Sequence, residues 1–120
     1  SITMSKKLNA FALFTTEPKK ANIKALDGAE ITYRELTMLE NDEFSKRLVK
    51  GYGDDGTTPE IDMEEATKIK YEKASAMLIE PPMTVTELQE LASSALGAIN
   101  EIVALGESKD MLDPSDSSED

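Results

Sequence analysis

Ahead of each of three apolar-periodic runs after residue 36 the chain sets a helix-starting residue three positions before a glutamate: Thr37-x-x-Glu40, Asp62-x-x-Glu65 and Thr84-x-x-Glu87. In such a pair the cap oxygen accepts the glutamate's amide while the glutamate reaches back to the cap, so the helix start is fixed locally. Each start is followed by a stop. Gly51 closes the first helix near Lys50, and Pro81-Pro82 closes the second near Ile79. Gly106 caps the third. The spacing therefore predicts helices over about 38–50, 62–79 and 85–105.

Their apolar faces differ in width. The first is thin, with Phe44 and Leu48 at i,i+4 and Leu39 and Val49 to the side. The second spreads over Ala66, Ile69, Tyr71, Ala74, Met77 and Leu78. The third carries a continuous stripe of Leu88, Leu91, Ala92, Ala95, Ile99, Ile102 and Val103, the clearest helical pattern in the chain.

The first third reads as extended. Leu8 to Thr16 is short and Phe-rich and is predicted as a strand over 8–16. Asp27-Gly28 between two alternating runs predicts a hairpin with strands over 21–25 and 29–35. A three-residue loop Leu26-Asp27-Gly28, with Gly28 left-handed, pairs Ile23 with Ile31 and Lys24 with Glu30, giving one apolar face and one of opposite charges. The expected fold class is thus α+β, mostly helical: a small amino-terminal β-hairpin region, three helices and a disordered acidic carboxyl tail. The expected single domain covers 4–106, with Ser1-Ile2-Thr3 read as a tag remnant ahead of Met4.

Charge follows the same division. Twenty-four acids oppose 13 bases, a net charge of -11. Residues 1–26 are locally basic, through Lys6, Lys7, Lys19, Lys20 and Lys24, and residues 107–120 are strongly acidic with almost nothing to bury. Such a balance disfavours phosphate-backbone binding, so nucleic acid is not an expected partner. No apolar run approaches the length of a membrane span, and no secretory leader follows Met4, so a soluble intracellular protein is expected.

The chain contains neither His nor Cys, which removes thiol nucleophiles, the usual zinc ligand sets and the neutral-pH imidazole base. Gly51-Tyr52-Gly53-Asp54-Asp55-Gly56 spells G-x-G-x-x-G, but a helix precedes it, Thr57-Thr58-Pro59 follows it, and two aspartates would repel a phosphate. Asp54 to Glu65 has the length of a calcium loop, yet Pro59 stands where that loop needs Gly. Asp62, Glu64, Glu65 and Glu72 read as a solvated helix face with pairs such as Glu64–Lys68. No catalytic, metal or cofactor site is expected, and the chain is read as a non-enzyme.

Protein binding is the expectation that remains. Met38, Met63, Met77 and Met83 lie near helix ends, where flexible thioethers suit adaptable surfaces or fill a core. Phe44, Leu48, Tyr71 and Met77 are the candidate protein-interface residues. Lys6, Lys7, Lys19 and Lys20 either protect strand edges or meet the acidic body of another copy in head-to-tail self-association.

The order of elements resembles the tail assembly chaperones of long-tailed bacteriophages. The matching pieces are Glu30-Ile31-Thr32-Tyr33 running into Arg34-Glu35-Leu36-Thr37, then Glu80-Pro81-Pro82 after the second helix. Leu88-Gln89-Glu90-Leu91 leading into Leu96-Gly97-Ala98-Ile99-Asn100-Glu101-Ile102 completes the pattern, which covers residues 29–106. The loop 51–58 departs from it. The resemblance implies a chaperone that coats the long helical tape-measure protein, draws tail tube subunits to it, self-associates, acts in the host bacterial cytoplasm and leaves the finished virion. In many members of that family a frameshift near the end of the gene yields a longer product, for which an acidic tail is a suitable connection. A different class of reading is a small acidic inhibitor or DNA mimic that blocks a partner's basic nucleic-acid site.

Overall fold

In the computed structural model, which describes residues 10–107, five short strands and four helices alternate along the chain. β1 (Lys19–Ile23) and β2 (Ala29–Tyr33) form an antiparallel hairpin, and β5 (Leu78–Glu80) adds to the far side of β2. Helices α1 (Met38–Leu48), α2 (Met63–Met77), α3 (Val85–Gln89) and α4 (Leu96–Ala104) follow. A second antiparallel hairpin, β3 (Val49–Tyr52) and β4 (Pro59–Ile61), links α1 to α2. The fold is α+β.

The core lies between the three-stranded sheet and α2, α3 and α4. Ile23, Ile31 and Tyr33 from the sheet meet Ala74, Met77, Leu88, Ala98, Ile99 and Ile102 from the helices, with Leu36, Tyr71 and Val103 packed around them. Every other residue of β1 and β2 turns inward, as a half-buried sheet requires.

The first hairpin forms with its apolar face as expected and its register moved by two residues. Ile31 pairs with Ala21 and Ile23 with Ala29, so the loop spans Lys24 to Gly28 instead of Leu26 to Gly28. Because side chains alternate with period two, this shift keeps Ile23 and Ile31 on the buried side. The longer loop is a 3-10 turn over Lys24–Leu26, followed by Asp27 at φ 55 and Gly28 at φ 79. A left-handed glycine after a left-handed aspartate returns the Gly28 amide to the Ile23 carbonyl at 2.9 Å. Lys20 takes the place expected for Lys24, with its Nζ 3.8 Å from Glu30.

Other expectations need correction. Residues 10–16 are not a strand: the Phe14 amide donates to the Phe11 carbonyl at 2.9 Å, and Phe11, Leu13 and Phe14 stand exposed. No neighbouring strand offers them a ladder, and Pro18 intervenes before β1. The first helix ends at Leu48, since Val49 is already extended and its strand pairs with β4, so Gly51 lies inside a hairpin and is no cap. The second ends at Met77, where Leu78 turns extended to pair with Tyr33.

The third helix is two. α3 stops at Gln89, Ala92 is extended at φ -62 and ψ 150, and a 3-10 turn over Ser93–Ala95 restarts the chain as α4. Ala92-Ser93-Ser94 brings no large apolar side chain to the core, and serines favour turns over helix interiors. The break lets both Leu88 and Ile99 bury against α2 while Leu91 turns out. Gly106 does not adopt a left-handed cap; it lies in the turn after α4, close against the Met77 methyl. The tag remnant at 1–3, Lys6, Lys7 and the acidic tail from 108 onward lie outside the described residues.

Candidate protein-binding surface

Two of the three expected capping pairs form in full. The Thr37 hydroxyl accepts the Glu40 amide at 3.0 Å, and Glu40 Oε1 accepts the Thr37 amide at 2.8 Å; Thr84 and Glu87 repeat this at 3.1 and 2.9 Å. At α2 only the forward half is made, from the Glu65 amide to Asp62 at 3.2 Å. The Glu65 carboxylate is engaged elsewhere, and that engagement ties α1 to α2.

Arg47 makes the tie. Its Nε donates to Glu65 at 3.0 Å, and its two terminal nitrogens donate to both Glu72 oxygens at 2.8 and 2.6 Å. This fork raises the Arg47 pKa and lowers that of Glu72, in each case chiefly through the shared hydrogen bonds. The guanidinium also lies 5.7 Å from the centre of the Phe44 ring, and Lys73 Nζ lies 5.8 Å from it. Phe44 is thus half-buried among cations at the α1–α2 junction, with Leu48 half-buried one turn on.

The sequence-derived candidates do not share one face. Phe44 and Leu48 occupy that junction, while Tyr71 lies beside α3 and α4. Met77 is 1 % exposed and is a core residue, closed over by Gly106, so it cannot reach a client while the fold is intact. Lys19 is ion-paired to Glu35, and Lys20 to Glu30, within the chain. The Lys19 and Glu35 side chains are each 31 % exposed, whereas Lys20 stays largely open to solvent beside Glu30.

Tyr71 borders a feature the periodicity hid. Where the chain breaks between α3 and α4, a groove of about 110 Å³ opens, with Tyr71, Leu88, Leu91 and Ile99 on its walls together with the polar Gln89 and Ser93. Leu91 and Leu96 remain 44 % and 45 % exposed at its mouth. An uninterrupted helix would have no such cleft. Leucines on both sides of Ala92-Ser93-Ser94 were the available signal: the run can hold its stripe only by staying helical through two consecutive serines.

A second apolar surface lies on β3 and β4. A bulge between Val49 and Gly51 brings Val49 and Tyr52 onto the same side, opposite Ile61 and Pro59. Tyr52, Ile61 and the neighbouring Met63 are exposed, as are Met38 and Leu39 on α1. The turn between the strands is held by Asp55, which accepts the Thr57 and Thr58 amides at 2.9 and 2.8 Å. Those bonds and the Thr58 hydroxyl, the largest influence, hold the Asp55 carboxyl at about 2. The G-x-G-x-x-G run therefore crosses a hairpin turn and leads into a strand, without the helix a pyrophosphate site needs.

No family model, curated protein or solved structure matches this chain. Among the described residues no cluster of three or more potential metal ligands occurs, and no helix is long and apolar enough to cross a membrane. What the surface offers is a small groove of mixed polar and apolar lining, Gln89 and Ser93 among it, beside the exposed Leu91 and Leu96 side chains.

Proposed function

We propose that this protein is a non-enzymatic tail assembly chaperone of a long-tailed bacteriophage, which holds the helical tape-measure protein in soluble form and helps bring tail tube subunits to it. The observation that carries the reading is the groove at the α3–α4 break, where Leu91 and Leu96 flank a cleft floored by Tyr71, Leu88 and Ile99. A cleft of this size receives one apolar side chain of an amphipathic helix whose neighbouring apolar residues lie over the exposed Leu91 and Leu96. Tyr71 is the one residue of the sequence-derived set that belongs to it. The order of elements over 29–106 supports the same reading by its resemblance to that family.

The acidic-mimic reading has less support. A mimic needs its carboxylates displayed, whereas Glu30, Glu35, Glu40, Glu65 and Glu72 are paired with lysines or arginines of the same chain, and Glu101 holds a backbone turn. Co-expression with a fragment of the tape-measure protein tests the proposal. The fragment is expected in the soluble fraction with the wild-type chain, and in the pellet with a Leu91→Asp/Leu96→Asp variant. A fragment equally insoluble with the wild-type chain would overturn it.

A further inference from the structure

Between Thr37 and Lys68 no residue is buried, and none joins the core formed by the three-stranded sheet with α2, α3 and α4. The stretch leaves the sheet after β2 as α1, crosses the separate β3–β4 hairpin and returns as the first turns of α2. In a packed helix the stabilising element is normally a buried apolar face. α1 has no buried side chain, only the half-buried Phe44 and Leu48.

Ile69 marks what α1 covers. It is 3 % exposed, yet it stands apart from the residues of the core. On α2, Glu65, Ile69, Glu72 and Lys73 fall at i, i+4, i+7 and i+8, a single helical face. Both glutamates of that face hold Arg47, and Lys73 lies over the Phe44 ring. The face is therefore the one turned to α1, with Ile69 between the ion pairs, while Ala74 and Met77 turn to the core. The Arg47 side chain is 38 % exposed and its partners Glu65 and Glu72 are 26 % and 34 % exposed, so water reaches every member of the fork.

We infer that α1 and the β3–β4 hairpin form a lid on α2 that opens as a unit while the core stays folded, with Arg47 as its latch. Its hinges are Glu35-Leu36-Thr37, between β2 and α1, and Asp62, where the hairpin enters α2. The Arg34 fork on Glu40 keeps the first turn of α1 at the near hinge. Within the lid, the pairing of Val49 with Ile61 and the Asp62 amide on the Leu48 carbonyl at 2.8 Å hold α1 and the hairpin together. Opening turns Ile69, Phe44 and Leu48 out to solvent, an apolar strip that the closed chain hides. An element with so little buried surface opens locally, whereas a core opens only with the whole fold.

The inference concerns the free chain and does not rest on the client reading. Native-state amide exchange of the full chain, over a series of sub-denaturing urea concentrations, tests it. The amides of Asp42 to Leu48 are expected to exchange through an opening with weak urea dependence, and those of Ala98 to Ile102 with the steep dependence of global unfolding. Because the chain contains no Cys, a single introduced thiol reports the same event from the covered side. Ile69→Cys is expected to react with a thiol reagent about tenfold or more faster than Ala74→Cys, though Ile69 and Ala74 are 3 % and 0 % exposed. Adding Arg47→Ala to Ile69→Cys speeds that labelling several-fold, and Arg47→Lys, which keeps the charge without the fork, speeds it less. One common urea dependence for α1 and α4 amides, or equal labelling at the two positions, would overturn the lid. Labelling of Ile69→Cys that Arg47→Ala leaves unchanged would overturn the latch. The exchange measurement needs no substitution, so it decides the matter even where a cysteine variant does not fold. Failure to hold a tape-measure fragment leaves all these outcomes unchanged, so the two proposals fail separately.

Discussion

The Glu101 carboxylate on α4 accepts the backbone amides of Lys24 at 2.7 Å and of Ala25 at 3.1 Å. A side chain 77 positions away along the sequence thereby serves the 3-10 turn of the first hairpin, satisfying amides that a tighter loop would have left to the strands. The same two amides lie in the loop because of the two-residue shift in register, and the last helix supplies the partner they would otherwise lack.

Replacing Glu101 should loosen that turn while sparing the core. Glu101→Ala is expected to cost about 1 kcal/mol in urea unfolding, the usual worth of a partly exposed charge-assisted contact. Glu101→Gln should cost less. Amide exchange at Lys24 and Ala25 should accelerate in both, and unchanged exchange there would count against the contact.

Glu40 gives the fold a dependence on acid. Arg34 donates to both Glu40 oxygens at 2.9 Å, and this fork, with the Thr37 amide, lowers the Glu40 carboxyl to about 2. A carboxyl whose pKa is depressed on folding stabilises the native state above its unfolded pKa, near 4.3, and loses that contribution as pH falls toward the folded value. The difference in stability between wild type and Glu40→Gln should therefore be constant above about pH 5 and shrink toward pH 2. Solvent exposure of the pair keeps the difference small. Urea titrations of both proteins at stepped pH measure it directly.

Met77 and Leu91 were both apolar members of sequence stripes, yet they should respond in opposite ways. Met77→Ala opens a space under Gly106 and between the sheet and α4, and is expected to cost about 2–4 kcal/mol. Leu91→Asp changes an exposed side chain at the groove mouth and should alter stability by less than about 0.5 kcal/mol. Thermal unfolding of the two variants separates a core position from a surface one.

Much of the fold was legible in local signals. Thr37, Asp62 and Thr84 mark three helix starts because capping is decided within four residues, and the alternation of Ile23, Ile31 and Tyr33 marks the buried side of the hairpin. What escaped depended on distant partners. Val49 to Ile61 forms a hairpin around a loop that reads as a helix stop followed by coil, and Leu78 leaves α2 ahead of Pro81-Pro82 to pair with Tyr33. The groove escaped for a related reason. Helical periodicity continues smoothly from Leu88 through Ile99, and only packing against α2 shows that two short helices bury those residues better than one long one. Of the four candidate interface residues, Tyr71 alone borders the groove, because periodicity names the apolar side of a helix and not what covers it.

On the proposed function, a client helix enters the groove between α3 and α4. The most direct measurement is amide hydrogen exchange of the full chain with and without a soluble, amphipathic helical segment of the tape-measure protein. Protection concentrated at residues 88–99 and at Tyr71, and lost in Leu91→Asp/Leu96→Asp, is the predicted result. Bound segment with protection centred on the α1–α2 junction around Phe44, and none at 88–99, would contradict it.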